Sequence, residues 1–342
     1  MEPNRTALVT GASGYVGGLL VPRLLQAGYA VRVLTRSAHL DTPWARQVDV
    51  CQGDASDPDD VRRALRGVDV AYYLIHSMDG AGDFARRDRE MALGFARAAR
   101  EESVARIVYL SGLHPRGELS AHLASRVEVG DSLLASGVPT AVLQAATVIG
   151  RGSASFEMLR YLTTRLPVMV APRWLDNRIQ PVGVDDVLHW LVGAADLPAD
   201  VSRTFDIGGP DVLTYRDMIQ RFAALTGQRR RLILTLPVMT PWLASHWVGL
   251  VTPVDAGVAK PLVGSLVHEV VCQEQDLLTL VGPPPHGVAS YREAVVRAMD
   301  GVEPDPRHAV RWVTLAALMT VAAGATVAVS RARGTGRGPA RR

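Results

Sequence analysis

The stretch that decides the fold is ALVTGASGYVGGLLVPRLLQAG, residues 7–28. Its apolar start predicts a strand, its end predicts a helix, and three glycines stand between them. Gly11 permits a tight turn, Gly14 lets the main chain approach a diphosphate, and Gly17 lets the helix lie close to the strand. A second strand, AVRVLT, follows at residues 30–35, so the glycines have the context of a dinucleotide-binding loop.

Short apolar runs alternate with helical patterns over residues 1–150. Six runs predict strands: TALVT, AVRVLT, VDVCQG, VAYYLI, RIVYLS and TAVLQA. Four segments predict helices: residues 15–27, 58–66, 83–101 and 122–136. Strands and helices that alternate at this spacing form a parallel sheet with right-handed crossovers. We therefore predict an α/β fold, a Rossmann doubly wound parallel sheet with a smaller, mostly helical C-terminal lobe and an apolar C-terminal helix.

The rest of the chain departs from this rhythm and predicts a second lobe. Residues 151–176 and 213–300 are assigned to that lobe, whereas 177–212 contain a strand, RTFDI, that rejoins the sheet. Within 177–212, Asp185 is the predicted N-cap of a helix, because an acidic side chain accepts hydrogen bonds from the free amides of a first turn.

The end of the second strand selects between the two nicotinamide cofactors. A site for NAD(H) usually carries Asp or Glu there, about 20 residues after the loop, to bind the ribose 2′-hydroxyl. This chain has Arg36 and Ser37 instead, and a guanidinium pairs with a 2′-phosphate in a forked geometry. The sequence therefore favours NADP(H) over NAD(H). Asp54, at the end of the third strand, is either an acceptor for the adenine amino group or the cap of its own loop.

The composition excludes several classes of function. The 342 residues carry a net charge of +3, but the tail at 331–342 supplies five arginines, and the remainder of the chain is at about −2. No broad basic surface for nucleic acid is therefore expected. Cys51 and Cys272 have neither the number nor the spacing of a disulfide framework or a metal site, which fits a reducing cytoplasm. The N-terminus leads almost directly into a strand, and no signal peptide is expected.

Four stretches carry a family resemblance: TGASGYVGG (10–18), GDASDPDDVRRALRGVDVAYYLIHSM (53–78), SGLHP (111–115) and VIGRGSASFEMLRYLTTRLPVMVAPRW (148–174). Over roughly residues 5–300 the chain resembles an atypical, NmrA-like short-chain dehydrogenase/reductase of the YbjT-like group. That group is related to the NAD(P)H-binding 39 kDa subunit of respiratory complex I. The resemblance implies a Rossmann domain with a C-terminal substrate lobe. It implies no particular substrate, and the complex I relative binds NADPH without known turnover.

The resemblance also implies where NAD(P)(H) binds. Arg36 and Asp54 are expected to lie further along the nucleotide, beyond the glycine loop. The loop residues expected to hold the cofactor are Gly11, Ser13, Gly14, Tyr15, Val16 and Gly17.

The usual catalytic pair of the wider superfamily is absent from the sequence. In that superfamily a tyrosine supplies the proton, and a lysine four residues later lowers the pKa of the tyrosine. The single lysine of this chain is Lys260, and Ala256 stands four residues before it. No Tyr-x-x-x-Lys pair exists, so the usual mechanism is excluded.

Four residues are candidates to replace that pair. His122 and Arg126 lie four apart on one predicted helix face, where His122 is expected to act as an acid near neutral pH with electrostatic support from Arg126. Ser111 ends the fifth strand and His76 follows the fourth, at the edge where ligands bind in open α/β sheets. Cofactor binding or a structural role is the alternative for each.

Two apolar segments suggest lipid or an apolar substrate. Residues 232–254 contain no Asp, Glu, Lys or Arg, but Pro237 and Pro241 would break a spanning helix, so we expect helices of the second lobe there. Residues 312–329 are 18 uncharged residues, about 27 Å of helix, which is close to the thickness of the hydrocarbon core of a bilayer. We expect 308–330 to associate with membrane lipid, ahead of a disordered basic tail at 331–342. Docking on the protein or on a second copy in a homo-oligomer is the alternative.

Two functions remain open. The first is an NADP(H)-dependent oxidoreductase that acts on a small apolar carbonyl, quinone or isoprenoid-like substrate near a membrane. The second is a non-catalytic NADP(H)-binding redox sensor or an assembly subunit of a membrane complex. The absent Tyr-x-x-x-Lys pair favours the second, and the large apolar lobe favours the first. Either protein is expected in the cytoplasm in association with a membrane, with no nucleic acid as a partner.

Overall fold

The computed structural model describes residues 5–76, 84–115, 119–236, 252–253, 264 and 267–302. The strands are β1 (Thr6–Thr10), β2 (Ala30–Thr35), β3 (Asp49–Gln52), β4 (Val70–Tyr73), β5 (Arg106–Gly112), β6 (Thr140–Ala145), β7 (Thr147–Ile149), β8 (Val168–Pro172), β9 (Arg178–Ile179), β10 (Pro181–Gly183), β11 (Arg203–Ile207), β12 (Leu213–Thr214) and β13 (Leu232–Leu236). The α-helices are α1 (Tyr15–Gln26), α2 (Pro58–Leu65), α3 (Phe84–Glu101), α4 (Ala121–Leu134), α5 (Ala154–Arg165), α6 (Val184–Gly193), α7 (Tyr215–Leu225), α8 (Asp276–Val281) and α9 (Tyr291–Met299). Short 3₁₀ turns lie at Ala45–Gln47, Arg173–Asp176 and Ala194–Asp196.

Seven parallel strands form the central sheet in the order β3-β2-β1-β4-β5-β6-β11. The first six follow the order of a dinucleotide-binding, doubly wound sheet. β1 pairs with β2 on one side and with β4 on the other, so the winding reverses at β1. A crevice opens at such a switch point, outside the carboxyl ends of the strands. The predicted α/β Rossmann fold is confirmed.

Two apolar layers hold the sheet between helices. On one face α1 and α6 pack against the strands through side chains such as Leu24 and Leu191. On the other face α2, α3 and α4 do the same through side chains such as Leu65 and Phe95. Strands that are covered on both faces have nearly continuous apolar sequences rather than alternating ones, and the central strands β1, β4, β5 and β6 are buried in this nearly continuous way.

The second lobe has its own apolar cluster, built largely from α5, α7 and α9. Phe156 of α5 and Phe222 of α7 meet edge to face, with ring centres 5.9 Å apart. Three two-stranded sheets join the lobe together: β7 with β10, β9 with β12, and β8 with β13. Because β7 begins two residues after β6 ends and β10 runs directly into α6, the lobe meets the sheet at the edge where the crevice opens.

Two expectations from the sequence are wrong. Residues 232–236, expected to be helical, form β13 in register with β8; Ile233 packs on the lobe core while Leu232 and Leu234 are exposed, the alternation of a strand. Asp185 is not an N-cap, because the extended backbone that precedes α6 belongs to Gly183. Asp185 lies in the first turn and pairs with Arg23 of α1 at 2.7 Å.

The predicted membrane segment, 312–329, lies outside the described residues, as do 237–251 and the basic tail. Among the helices of the described ranges, none combines the length and the apolar character that crossing a bilayer requires.

Candidate functional site

A cleft of about 320 Å³ opens where the carboxyl ends of the sheet strands face the second lobe. The glycine loop forms one wall, the ends of β5 and β6 with α4 form a second, and the lobe forms a third. The residues that border it include Gly11, Gly14, Tyr15, Val16, Gly17, His76, Ser111, His122, Arg126, Thr147, Met158, Ile179, Tyr215 and Val270.

The glycine loop has the shape that the sequence predicts. Gly11 adopts a φ of +71°, and a Cβ there would lie 2.6 Å from the carbonyl oxygen of Leu74. A Cβ on Gly17 would lie 2.3 Å from the carbonyl oxygen of Gly11. Only glycine therefore lets the turn close and lets α1 begin this near to it.

The first turn of α1 offers main-chain donors to the cleft. The first amides of any helix lack helical carbonyl partners. In α1 the N-cap residue is Gly14 and no side chain caps the helix, so these amides stay bare. Gly14, Tyr15 and Val16 border the cleft, and Ser13 is exposed beside them. A Cβ on Gly14 would meet only the carbonyl oxygen of Gly11, at 3.2 Å. Bare amides at a helix N-terminus, with no side chain over them, fit the diphosphate of a dinucleotide.

The residues predicted to select the nucleotide lie at the ends of β2 and β3, beyond the cleft lining. Arg36 and Ser37 are exposed, and the Ser37 hydroxyl donates to the carbonyl oxygen of His39 at 2.7 Å. Hydrogen bonds from the Ser56 amide and hydroxyl lower the pKa of the Asp54 carboxyl, and nearby Arg36 acts in the same direction. Asp54 therefore caps its own turn as an anion. The Arg36 guanidinium has no hydrogen bond or ion pair within the described ranges.

The four predicted catalytic residues border the same cleft: His76, Ser111, His122 and Arg126. Ser111, near the end of β5, donates from its hydroxyl to the carbonyl oxygen of Arg126 at 3.4 Å. Arg126 donates from Nη2 to the carbonyl oxygen of Leu110 at 2.6 Å. Its Nε is buried and finds no hydrogen-bond partner in the part of the chain that the structure describes. The guanidinium is therefore anchored at the end of β5, and its buried Nε–H donor is unused among the described residues.

The two histidines are neutral near pH 7. Burial lowers the pKa of His76 to about 3, and the charge of Arg126 and the neighbouring His122 act in the same direction. Burial lowers the pKa of His122 to about 4, again with a contribution from Arg126. An acid that works near neutral pH needs a pKa close to that pH. At these pKa values both rings are neutral hydrogen-bonding groups near pH 7, and the role of His122 as an acid stays a prediction.

The lobe wall contains a polar group that no sequence motif singles out. Tyr215 opens α7 and lies beside the apolar side chains of Ile179 and Val270. It is buried, and its hydroxyl has no hydrogen-bond partner among the described residues. Burial raises the pKa of that hydroxyl, which keeps it a neutral donor. The capping box of Thr214 and Asp217 is a sequence signal for the start of α7. The sequence does not show that this start lies at the cleft, because that position depends on the pairing of β12 with β9.

Comparison with known proteins supports the nucleotide half of the site. Residues 11–148 match the model of a family described as NAD(P)H-binding. A ceramide reductase from Caulobacter vibrioides is 27% identical over 237 residues, which are 66% of this chain and 72% of that protein. The mitochondrial NADH dehydrogenase (ubiquinone) 1 alpha subcomplex subunit 9 of Mus musculus is 25% identical over 252 residues, 71% of this chain and 66% of that protein.

Among solved structures, the triphenylmethane reductase of Citrobacter sp. in complex with NADP(H) has a TM-score of 0.66. The superposition covers 86% of this chain and 99% of that one at 18% identity, so it shows the fold alone. Taken together, the matches confirm the resemblance to NAD(P)H-binding reductases and to the complex I subunit that the sequence indicates.

Proposed function

We propose that this chain, which contains an NAD(P)H-binding domain over residues 11–148, is an NADPH-dependent reductase of a small apolar carbonyl, quinone or isoprenoid-like substrate. The observation that carries the proposal is the continuity of one cleft. The bare amides of α1 and an apolar lobe wall border the same space, so a reduced cofactor and an apolar substrate have room to meet in it.

Each wall has a separate task in this reaction. The cofactor supplies hydride when it is bound, and the protein orients it. The amides of α1 hold the diphosphate, and Arg36 meets the 2′-phosphate, which is why NADPH is proposed over NADH. Ser111 and the neutral ring of His122 are hydrogen-bonding groups for a substrate oxygen, and the fixed charge of Arg126 favours negative charge that develops there. Solvent water then supplies the proton that this oxygen takes up after hydride transfer.

The substrate class rests on the lobe wall. Met158, Ile179 and Val270 border the cleft with aliphatic surface, and such surface selects for apolar groups with a few polar contacts. Two relatives whose names state a reduction act on a ceramide and on a furan-derived methyl phosphate. Both names fit a reductase in this scaffold, and the apolar wall favours a substrate of the first kind.

The test is NADPH oxidation, followed by absorbance, with a panel of quinones and long-chain aldehydes and ketones. We expect multiple turnovers with at least one apolar substrate. Ser111→Ala should lower the turnover, while Ser132→Ala is the matched control, because the Ser132 hydroxyl on α4 donates to the carbonyl oxygen of Glu128 and Ser132 is not among the residues that line the cleft. Bound NADPH that survives for hours with every substrate would overturn the proposal.

A non-catalytic NADP(H)-binding protein is the second candidate function. Two observations favour it: the sequence has no Tyr-x-x-x-Lys pair, and both histidines of the cleft are neutral near pH 7. The same experiment separates the two functions, since such a protein binds NADPH tightly and oxidises none of it.

A further inference from the structure

The outward face of the β8–β13 pair is apolar. In this parallel pair Val168 stands opposite Leu232, and Val170 opposite Leu234. The alternate residues Met169 and Ile233 pack into the lobe core. Val168, Leu232 and Leu234 are 42%, 55% and 49% exposed. We define these four outward residues, Val168, Val170, Leu232 and Leu234, as the ribbon face.

This face differs from an ordinary solvated sheet surface. A sheet with one face on a core usually carries polar side chains on the other, and here the outward positions are also aliphatic. The other large apolar residues that are exposed in the described ranges, such as Leu93 and Val296, stand singly on separate elements. Single exposed apolar residues are normal, whereas a contiguous group marks an interaction surface.

Arginines border the ribbon face. Arg229 and Arg230 are exposed just before β13, and no ion pair to them exists within the described residues. Arg230 and Arg231 share a groove with Leu232, about 680 Å³ in volume. The Nε of Arg231 is buried there without a hydrogen-bond partner in the described chain.

The carboxylates near this groove are already engaged. Asp217 belongs to the capping box of α7, and Asp176 pairs with Arg216. The 18 residues that follow β13 in the sequence, 237–254, contain no acidic residue. An aliphatic face with a cationic border complements a surface that is apolar inside and negatively charged outside.

We propose that the ribbon face docks on the surface of an anionic lipid bilayer. The aliphatic side chains enter the boundary between headgroups and acyl chains, and Arg229 and Arg230 meet lipid phosphates. Arg229 and Arg230, exposed and without an ion pair among the described residues, favour a bilayer, because lipid phosphates supply their anionic partners. The four ribbon-face residues include no aromatic side chain, the type that protein interfaces concentrate. The surface is separate from the predicted segment at 312–329, and it does not depend on the reaction proposed above.

The experiment is co-sedimentation of the full chain with phosphatidylcholine vesicles, with and without phosphatidylglycerol. We expect binding to the anionic vesicles that weakens as salt is added. The double variant Leu232→Ser/Leu234→Ser should bind the anionic vesicles at least roughly 10-fold more weakly than the wild type. Leu93→Ser/Val296→Ser is the matched control, since its residues are 47% and 54% exposed on other elements, and it should bind like the wild type.

A second variant separates charge from apolar contact. Arg229→Glu/Arg230→Glu should lose the preference for anionic vesicles, because it reverses the charge of the border. NADPH binding and thermal unfolding check that every variant is folded. Unchanged vesicle binding in both ribbon-face variants would assign the membrane contact to another segment and overturn the proposal. Dimers of the wild type that dissociate in the leucine variant, without vesicle binding, would overturn it in favour of a second copy.

Discussion

The two walls of the cleft are built in different ways. The nucleotide wall is main chain: an added Cβ at Gly11 or Gly17 would lie within 2.6 Å of a carbonyl oxygen. The lobe wall is side chain: Ile179, Tyr215 and Val270 come from three segments that are far apart in the sequence. A main-chain site fixes residue identity at single positions, whereas a packed wall accepts many side chains of similar volume. The first wall therefore constrains the sequence residue by residue, and the second constrains it mainly through side-chain volume.

The contrast predicts its largest effect at Gly17. Gly17→Ala should destabilise the fold by about 3 kcal/mol or more and abolish NADPH binding, since the new Cβ would lie 2.3 Å from the carbonyl oxygen of Gly11. Gly18→Ala is the matched control, because its Cβ would lie 3.4 Å from the carbonyl oxygen of Ala12, an ordinary contact. Thermal unfolding and NADPH titration measure both. Equal behaviour of the two variants would refute the main-chain argument.

The side-chain part of the nucleotide site should give the next effect. Arg36→Asp should weaken NADPH binding by about 100-fold and NADH binding far less, because it replaces the partner of the 2′-phosphate by a like charge. Arg173→Asp makes the same change at an exposed position of the lobe and should leave both affinities alone. Calorimetric titration with each cofactor measures the ratio. Equal losses for NADPH and NADH would contradict the selector role of Arg36.

The histidines between the two walls predict a pH dependence of stability. Their folded pKa values, about 3 for His76 and about 4 for His122, lie below an unfolded value of about 6.5. The unfolded chain therefore takes up protons first as the pH falls, and stability is lost from about pH 6.5 downward, by at most about 1.4 kcal/mol per pH unit for each ring. Above that pH the two rings do not change the free energy of unfolding with pH.

Denaturant unfolding across this range measures the slope. His76→Gln should make it shallower, and His286→Gln, at an exposed position, should leave it unchanged. A slope that is the same in the wild type and in His76→Gln would show that the ring is not buried as described.

The lobe wall should give the smallest effect. Tyr215→Phe removes a donor that is unpartnered in the described chain, so we expect no loss of thermal stability. If the hydroxyl serves the substrate, kcat/KM should fall roughly 3- to 10-fold while NADPH affinity stays constant. Tyr72→Phe is the control, since its hydroxyl is equally buried and unpartnered but lies outside the cleft lining. Equal kcat/KM in the two variants would remove Tyr215 from the site.

The nucleotide half could be predicted from the sequence because its signals are local. Helices expected at 15–27, 58–66 and 122–136 end within two residues of α1, α2 and α4. Their apolar periodicity and their flanking turns lie within a few residues of each other. The same holds for Gly17, whose Cβ would meet the carbonyl oxygen of Gly11 within the loop itself.

The lobe half could not be predicted in this way. Residues 232–236 are uncharged and leucine-rich, and only their pairing with β8 makes them a strand. Tyr215 reaches the cleft because β12 pairs with β9, a contact across more than thirty residues of sequence. The low pKa of His122 depends first on burial, which a local sequence pattern does not give, and only then on nearby Arg126. Each of these properties belongs to tertiary packing rather than to a local pattern.

The position of β11 at the edge of the sheet has a consequence for dissecting the molecule. The chain leaves the sheet after β6, builds part of the lobe, and returns as β11 with α6 packed in the core. The match to the NAD(P)H-binding family ends at residue 148, before either element. A fragment cut at that boundary would bare the hydrogen-bonding edge of β6 and the apolar surface beneath α6. Any chimera that exchanges the lobe must therefore keep residues 177–212 as part of the host, with splice points on both sides of them.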